Sequence, residues 1–388
     1  MPHTPRFQKV ALFCDFFSSL GGTEYCNTLL AAALRERGLD VRIYIGEKPQ
    51  LPHWKRLLDE RQIPVLEPEV FHADRKCRGI EQQFVRRVAE DFSTWRPDII
   101  HANPPGKLMV SWLELRAGPD IPVIATECTT PSANSAHWYP AELPLFIDEI
   151  AAFTAGWEAG RAGIRAFHRF SGPIYRVPQL VTPPANLERF TIDPANRALG
   201  CISRLSVEKG IDYLLGAWVQ IVAGLPEASL HLYGQGPDEI RLRELADCLG
   251  ITDTVHFEGA FEPYVGIDAV AGRHTIFVQP SLFEGLPIAL LELIARKRVV
   301  IATQVGGVPE LLDGHPPAGL LIAPASTEAI ANAVLELTGD PERIAEYSRV
   351  AHQKFLTHYD FDASIDAILD VYHAVLTQEH SRSMTVGA

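Results

Sequence analysis

Short runs of β-branched and aromatic residues alternate with amphipathic stretches along almost the whole of this chain. Lys9–Phe13, Val41–Ile45, Ile99–Ala102, Val123–Thr126 and Ile150–Thr154 each set four or five mostly apolar residues between polar boundaries. Runs this short suit strands buried on both faces. Between them, Thr23–Arg37 and Ile80–Phe92 repeat apolar residues at the three- and four-residue spacing of a helix with one buried face. The pattern predicts a parallel sheet wrapped by helices.

The period breaks at Val181-Thr182-Pro183-Pro184-Ala185-Asn186, where two prolines exclude a central strand or a helix interior. It resumes with Leu199–Ser203, Leu230–Tyr233, Val255–Phe257, Thr275–Val278 and Val299–Ala302, which predict a second Rossmann-like sheet. A last amphipathic helix is expected at Ala363–Gln378, with residues 380–388 as a frayed tail. The chain has 388 residues, too many for one comfortable core, which also indicates two domains of about 180 residues each.

Composition narrows the picture. No run of about 18 apolar residues occurs, and the run Val10–Cys14 is cut at Asp15, too short for a signal-peptide core. The expectation is a soluble, cytoplasmic protein with no integral membrane segment. The six cysteines include no C-x-x-C pair, so they read as reduced thiols rather than metal ligands or disulfides. Net charge is −13, and all the excess acidity lies beyond residue 184, where 14 basic residues face 27 acidic ones. An acidic chain is a poor partner for nucleic acid. The first 184 residues balance 21 against 21, and the run Arg75-Lys76-Cys77-Arg78 with Arg86-Arg87 is read as a solvated helix face.

Chemistry concentrates in residues 277–313. Glu284 and Glu292 bracket a strand-to-helix turn, Gly285-Leu286-Pro287, with Pro287 suited to the first helical position. The N–H groups of Ile288 and Ala289 would then point toward a bound anion. A phosphate flanked by two carboxylates placed for hydroxyl groups outlines a sugar-nucleotide pocket. Arg204 closes the strand Leu199–Ser203 and Lys209 follows five residues later, so two cations converge near a helix start. Fixed cations there would stabilise a diphosphate whose charge grows as a glycosidic bond breaks. Gly234 and Gly236 follow the next strand, where glycine allows a close backbone approach by a ligand. Gly21 and Gly22 follow the first strand and open a helix, with Gly22 the candidate for close approach.

The spacing Glu284-x7-Glu292, followed by Gly306-Gly307-Val308-Pro309-Glu310, resembles the donor motif of the retaining glycosyltransferases of family 4, which have the GT-B fold. The R-x4-K pair, the G-x-G-P turn at 234–237, Val255-His256-Phe257-Glu258-Gly259 and the G-G-x-E turn at 21–24 match further family elements. The resemblance is strong over 198–313 and weak over 40–190. It implies two Rossmann-like domains facing across a cleft: an acceptor domain, 1–182, with the helix 363–378 packed back on it, and a donor domain, 187–360. It assigns Glu284 to the transferred sugar, Glu292 to the nucleotide ribose, the amides after Glu284 to the diphosphate, and Arg204 and Lys209 to the leaving group.

The implied activity is transfer of a sugar from a UDP- or GDP-sugar to an acceptor hydroxyl, with retention through same-face substitution. No cofactor and no metal are expected. The expected partners are the nucleotide sugar, a small-molecule or glycan acceptor, and at most a weakly associating second copy. A lipid-directed transferase, a GT-B epimerase or phosphorylase, and a non-catalytic sugar-nucleotide-binding protein are the alternatives. A nicotinamide dehydrogenase is disfavoured because no strand precedes a full G-x-G-x-x-G.

Two departures touch the acceptor side. Cys128 stands where the family carries a T-x-H histidine, leaving His137 or His101 to replace it, and Val177-Pro178-Gln179 stands where P-N-G is common. Glu127 is a formal candidate for a two-step nucleophile. Asp360-Phe361-Asp362 imitates a D-x-D metal motif, but Asp362 is better read as a helix N-cap.

Overall fold

A computed structural model describes residues 7–15, 21–46, 56, 58–68, 78–116, 118–260 and 266–386. Two compact units divide the chain, Met1–Leu180 with Asp362–Ala388, and Val181–Phe361. Each is a parallel sheet between helices, the α/β architecture that the alternating pattern predicts.

In the first unit the strands are β1 (Lys9–Cys14), β2 (Asp40–Ile45), β3 (Val65–Leu66), β4 (Ile99–Ala102), β5 (Val123–Thr126), β6 (Ala152–Ala155) and β7 (Ile174–Arg176), in the order β3-β2-β1-β4-β5-β6-β7. Every pairing is parallel. Order reverses between β1 and β4, so the chain leaves these neighbours in opposite directions and opens a crevice at their carboxyl ends. Asp15, just beyond β1, occupies that end itself. Its carboxylate accepts from the backbone N–H groups of Lys107 and of Leu108, the latter at 3.0 Å, at the start of the helix Lys107–Leu115. The aromatic core joins Phe13, Tyr44, Phe92, Trp95, Trp112 and Phe153.

The helix Phe361–Val386 belongs to this unit from Asp362 onward. Arg37 bonds to both Asp362, at 2.9 Å, and Asp366, while the buried Tyr372 reaches His101 at 2.8 Å. Asp362 thus lies inside the first turn as an ion-pair partner, where an N-cap was expected. Helix also continues through most of 380–388, where a frayed tail was expected. Residues 75–77 of the basic run lie outside the described residues.

The second unit contains β8 (Ala198–Ile202), β9 (Ser229–Tyr233), β10 (Val255–Gly259), β11 (Ile276–Gln279), β12 (Val299–Thr303) and β13 (Leu320–Ile322), ordered β10-β9-β8-β11-β12-β13 and parallel throughout. Here the order reverses between β8 and β11. One face packs Leu199, Cys201, Leu230, Leu232, Ile276 and Val278 against Trp218, Leu214, Val334 and Leu337 of the helices Ile211–Gly224 and Thr327–Thr338. Arg298, 2% exposed, donates to the carbonyls of Arg296, His274 and Thr191 and so ties the start of the unit to its sheet. Burial lowers its guanidinium to about 10. Among the described residues no helix is long and apolar enough to cross a membrane.

Candidate functional site

The carboxyl ends of β8 and β11 flank the reversal of the second sheet, which is where open α/β sheets bind ligands. Arg204 and Lys209 lie beyond β8, and Glu284 lies beyond β11. Topology therefore brings together from opposite sides residues 75 positions apart: Lys209 Nζ donates to Glu284 Oε1 at 2.6 Å. Glu284 is 7% exposed, so its charge is compensated by close donors rather than by water. Ser281 Oγ donates to the same oxygen at 2.7 Å and Gln279 Nε2 approaches it at 3.4 Å.

Arg204, which is more exposed, turns to Glu208, donating to Oε1 at 2.7 Å, and Ser206 Oγ donates to the same oxygen at 2.7 Å. Burial raises the Glu208 carboxyl, but the Ser206 and Arg204 hydrogen bonds outweigh it and hold the group below its ordinary value. Each cation of the R-x4-K pair thus has a carboxylate partner, and Glu208 is a member of the site that the R-x4-K spacing does not mark.

Four loops interlock around this pair. Gly306 has φ +56, and a Cβ there would lie 2.3 Å from the Glu284 carbonyl oxygen and 2.4 Å from that of Gly285. The N–H of Gly307 donates to the Gly285 carbonyl at 2.7 Å. The G-G-x-P-E turn therefore seats the backbone that carries Glu284. Gly234, with φ +141, would place a Cβ 1.9 Å from the carbonyl oxygen of Ser203, and Gly236 one 2.1 Å from that of Leu205. Ligand approach was the expected reason for this glycine pair. The structure supplies a different one, close contact with the backbone around Arg204, bridged by the Leu205 N–H to the Gln235 carbonyl at 3.0 Å.

Beyond Glu284, Gly285 and Leu286 are buried and the helix runs Ile288–Ala295. Pro287 is its N-cap, with ψ 121, one position earlier than the first helical place expected for it. Its carbonyl accepts from the N–H groups of Leu290 and Leu291, so those of Ile288 and Ala289 sit at the open, positive end of the helix. Glu292 is half-buried in the second turn.

The remaining candidates belong to the first unit. Gly21 is the N-cap of the helix Gly22–Glu36, whose third residue, Glu24, is buried. His101, on β4, is 1% exposed, and both ring nitrogens are engaged, Nδ1 with Tyr372 and Nε2 with Thr126 Oγ1 at 2.6 Å. Burial lowers it to about 3, so it is a neutral interior histidine. His137 lies exposed in the 3-10 turn Ala133–Trp138. Glu127 is 1% exposed. Its Oε1 accepts from the N–H groups of Cys128 and Thr129 at 3.0 and 3.1 Å and from the Tyr139 hydroxyl at 2.9 Å, while Oε2 faces His168 Nε2 at 3.4 Å. So enclosed a carboxylate suits a brace for the loop after β5 better than a nucleophile. Burial first, and the neighbouring Glu127 second, push the Cys128 thiol well up, and its Sγ lies 2.8 Å from Asn103 Oδ1.

Comparison with known proteins follows this division. A model described as Glycosyltransferase Family 4 matches residues 20–155, and one described as Glycosyl transferases group 1 matches 196–340. A GDP-mannose-dependent alpha-(1-6)-phosphatidylinositol monomannoside mannosyltransferase of Mycobacterium tuberculosis is 31% identical over 215 residues, 50% of this chain and 54% of the relative. The alpha-D-kanosaminyltransferase of Streptomyces kanamyceticus is 27% identical over 188 residues, 48% of each chain. The chain thus spans about half the length of these curated relatives. Among solved structures, Anabaena HepE in complex with UDP and glucose superposes with a TM-score of 0.76 at 19% identity, covering 94% of this chain and 99% of that one. Sucrose-phosphate synthase from Thermosynechococcus elongatus gives 0.77 at 19% identity, covering 96% and 100%. With a matching family domain on each unit and the GT-B architecture throughout, the chain belongs to the family 4 glycosyltransferases.

Proposed function

We propose that this protein transfers a sugar from a nucleotide-diphosphate sugar to an acceptor hydroxyl with retention of anomeric configuration. The observation that carries the reading is the cluster of Lys209, Glu284 and Arg204 around the sheet reversal of the second unit, beside the open N-terminus of the helix Ile288–Ala295. In this reading the helix amides, Lys209 and Arg204 receive the diphosphate. Glu284 orients the transferred sugar and Glu292 holds the nucleotide ribose. As the glycosidic bond breaks, charge accumulates on the leaving phosphate next to two preset cations, which favours the transition state over the bound donor. The acceptor hydroxyl attacks from the face the phosphate leaves, and a phosphate oxygen takes its proton. The first unit supplies the acceptor side.

The donor is a UDP- or GDP-sugar; a relative is named for GDP-mannose and a fold neighbour was solved with UDP and glucose. A small metabolite or natural-product core is the acceptor we favour. A lipid-linked acceptor is the second reading, favoured by the phosphatidylinositol mannoside named for the mycobacterial relative. The test is incubation with UDP-glucose or GDP-mannose and two acceptor sets, soluble aminocyclitols and phosphatidylinositol mannoside in micelles. Nucleotide release and the product's anomeric coupling constant are followed. An α-linked product from an α-linked donor is expected. A β-linked product would overturn retention, and no release in any mixture would count against transfer.

A further inference from the structure

Glu284 is held by more than its ion pair. Three donors, Lys209 Nζ, Ser281 Oγ and Gln279 Nε2, converge on Oε1, and among the described residues none is directed at Oε2. Ser281 is 0% exposed, Gln279 4% and Thr303 1%, so this is an interior polar chain rather than a solvated rim. Gln279 Nε2 also meets Ser281 Oγ at 3.1 Å. Behind them, the Thr303 hydroxyl at the end of β12 donates to the Ser281 carbonyl at 2.5 Å, tying the exit of β11 to its neighbour. The seat of Gly306 under the Glu284 and Gly285 carbonyls fixes the same residue from its backbone side.

A carboxylate with one oxygen saturated has little freedom to rotate, and its other oxygen is the acceptor available for a ligand. We infer that Ser281, backed by Thr303, is a positioning residue that clamps Glu284 Oε1 so that Oε2 is presented to a hydroxyl of the transferred sugar. The inference rests on the donor-site reading above and deepens it. Its consequence is selective: the clamp acts on recognition of the sugar, not of the nucleotide. Removing the Ser281 hydroxyl lets the carboxylate swing toward Lys209 and leaves the helix amides and Arg204 in place.

The experiment is calorimetric titration of the full-length protein with UDP, GDP, UDP-glucose and GDP-mannose. The proteins are wild type, Ser281→Ala, Thr303→Val and Thr303→Ser, each first checked by thermal unfolding. Ser281→Ala should weaken the nucleotide sugar about tenfold to a hundredfold, the range for a lost hydrogen bond to a charged group, with the matching nucleotide changed less than about threefold. Thr303→Val should move the same ratio in the same direction by less, and Thr303→Ser, which keeps the hydroxyl, should restore it. Because Thr303→Val is nearly isosteric, it decides the matter if Ser281→Ala does not fold. Equal weakening of nucleotide and nucleotide sugar, or no change in either, overturns the clamp while leaving the donor site standing. Failure of wild type to bind any of the four ligands overturns the donor-site reading itself.

Discussion

Replacing Gly306 by alanine should loosen the second unit and blunt its ligand site at the same time. The new Cβ would lie 2.3 and 2.4 Å from two backbone carbonyl oxygens, whereas ordinary contact begins at 3.4 Å. The Glu284–Gly285 segment must therefore retreat by about 1 Å, at an overpacking cost of about 2 kcal/mol. The left-handed backbone adds about 1 kcal/mol for a residue with a Cβ, giving about 3 kcal/mol in all. Gly250→Ala is the matching control, because φ is +67 there and nothing lies within 4 Å. It isolates the backbone contribution of about 1 kcal/mol in the same unit. Urea unfolding followed by circular dichroism should separate the two variants by about 2 kcal/mol. Titration with a nucleotide sugar should show at least tenfold weaker binding for Gly306→Ala only, since a 1 Å misplacement can cost as much as about a hundredfold in a preset site. Equal stability of the two variants, with donor binding unchanged, would refute the claim that this turn seats Glu284.

Lys209→Met should lower stability by about 2 kcal/mol, less than the full cost of breaking a buried pair because the lysine is partly exposed, and thermal unfolding with nucleotide titration should report both that loss and binding weakened more than tenfold. Arg298→Met should cost about 3 kcal/mol by leaving three carbonyls without their donor, and a melting temperature equal to wild type would contradict the role given to that guanidinium. Burial holds His101 at about 3 and His274 at about 4, against 6.5 unperturbed. Depressed in the folded state, both contribute stability that is complete above about pH 6.5 and is lost as pH falls from there, toward about 4 for His274 and about 3 for His101. His101→Gln should flatten the slope of stability against pH in that window, and an unaltered slope would rule this contribution out.

Most of the strands that the hydrophobic pattern located have several consecutive buried residues, such as Ile99–Ala102 and Val299–Thr303, while β10 was found by its alternation alone. Strands β3 and β7 escaped it because they are two and three residues long and mostly half-buried, and β13 because its three residues, inside the apolar stretch Ala318-Gly319-Leu320-Leu321-Ile322-Ala323, are too few to show a strand period. Glu284 and Lys209 were legible through their fixed spacing from Glu292 and Arg204, each pair placed where a strand gives way to a helix. Their meeting was not, because it depends on the strand order that sets β8 beside β11. Ser281, Gln279 and Thr303 look like ordinary polar ends of strands, and only the hydrogen bonds converging on Glu284 distinguish them. Gly234 and Gly236 show the opposite case. The residue type was informative, but a missing Cβ does not tell whether a ligand or a neighbouring loop fills its place. Asp15 was legible only as the end of an apolar run, because the sequence does not show which helix a lone acidic residue caps from 92 positions away.

The most direct test of the central claim, that the second unit holds a nucleotide-diphosphate sugar, is calorimetric titration of wild type and Glu292→Ala with UDP, GDP, ADP and dTDP, each with and without magnesium. Tight binding of one nucleotide that is independent of magnesium and weakened by the substitution is the predicted result. Absence of binding by all four would contradict it.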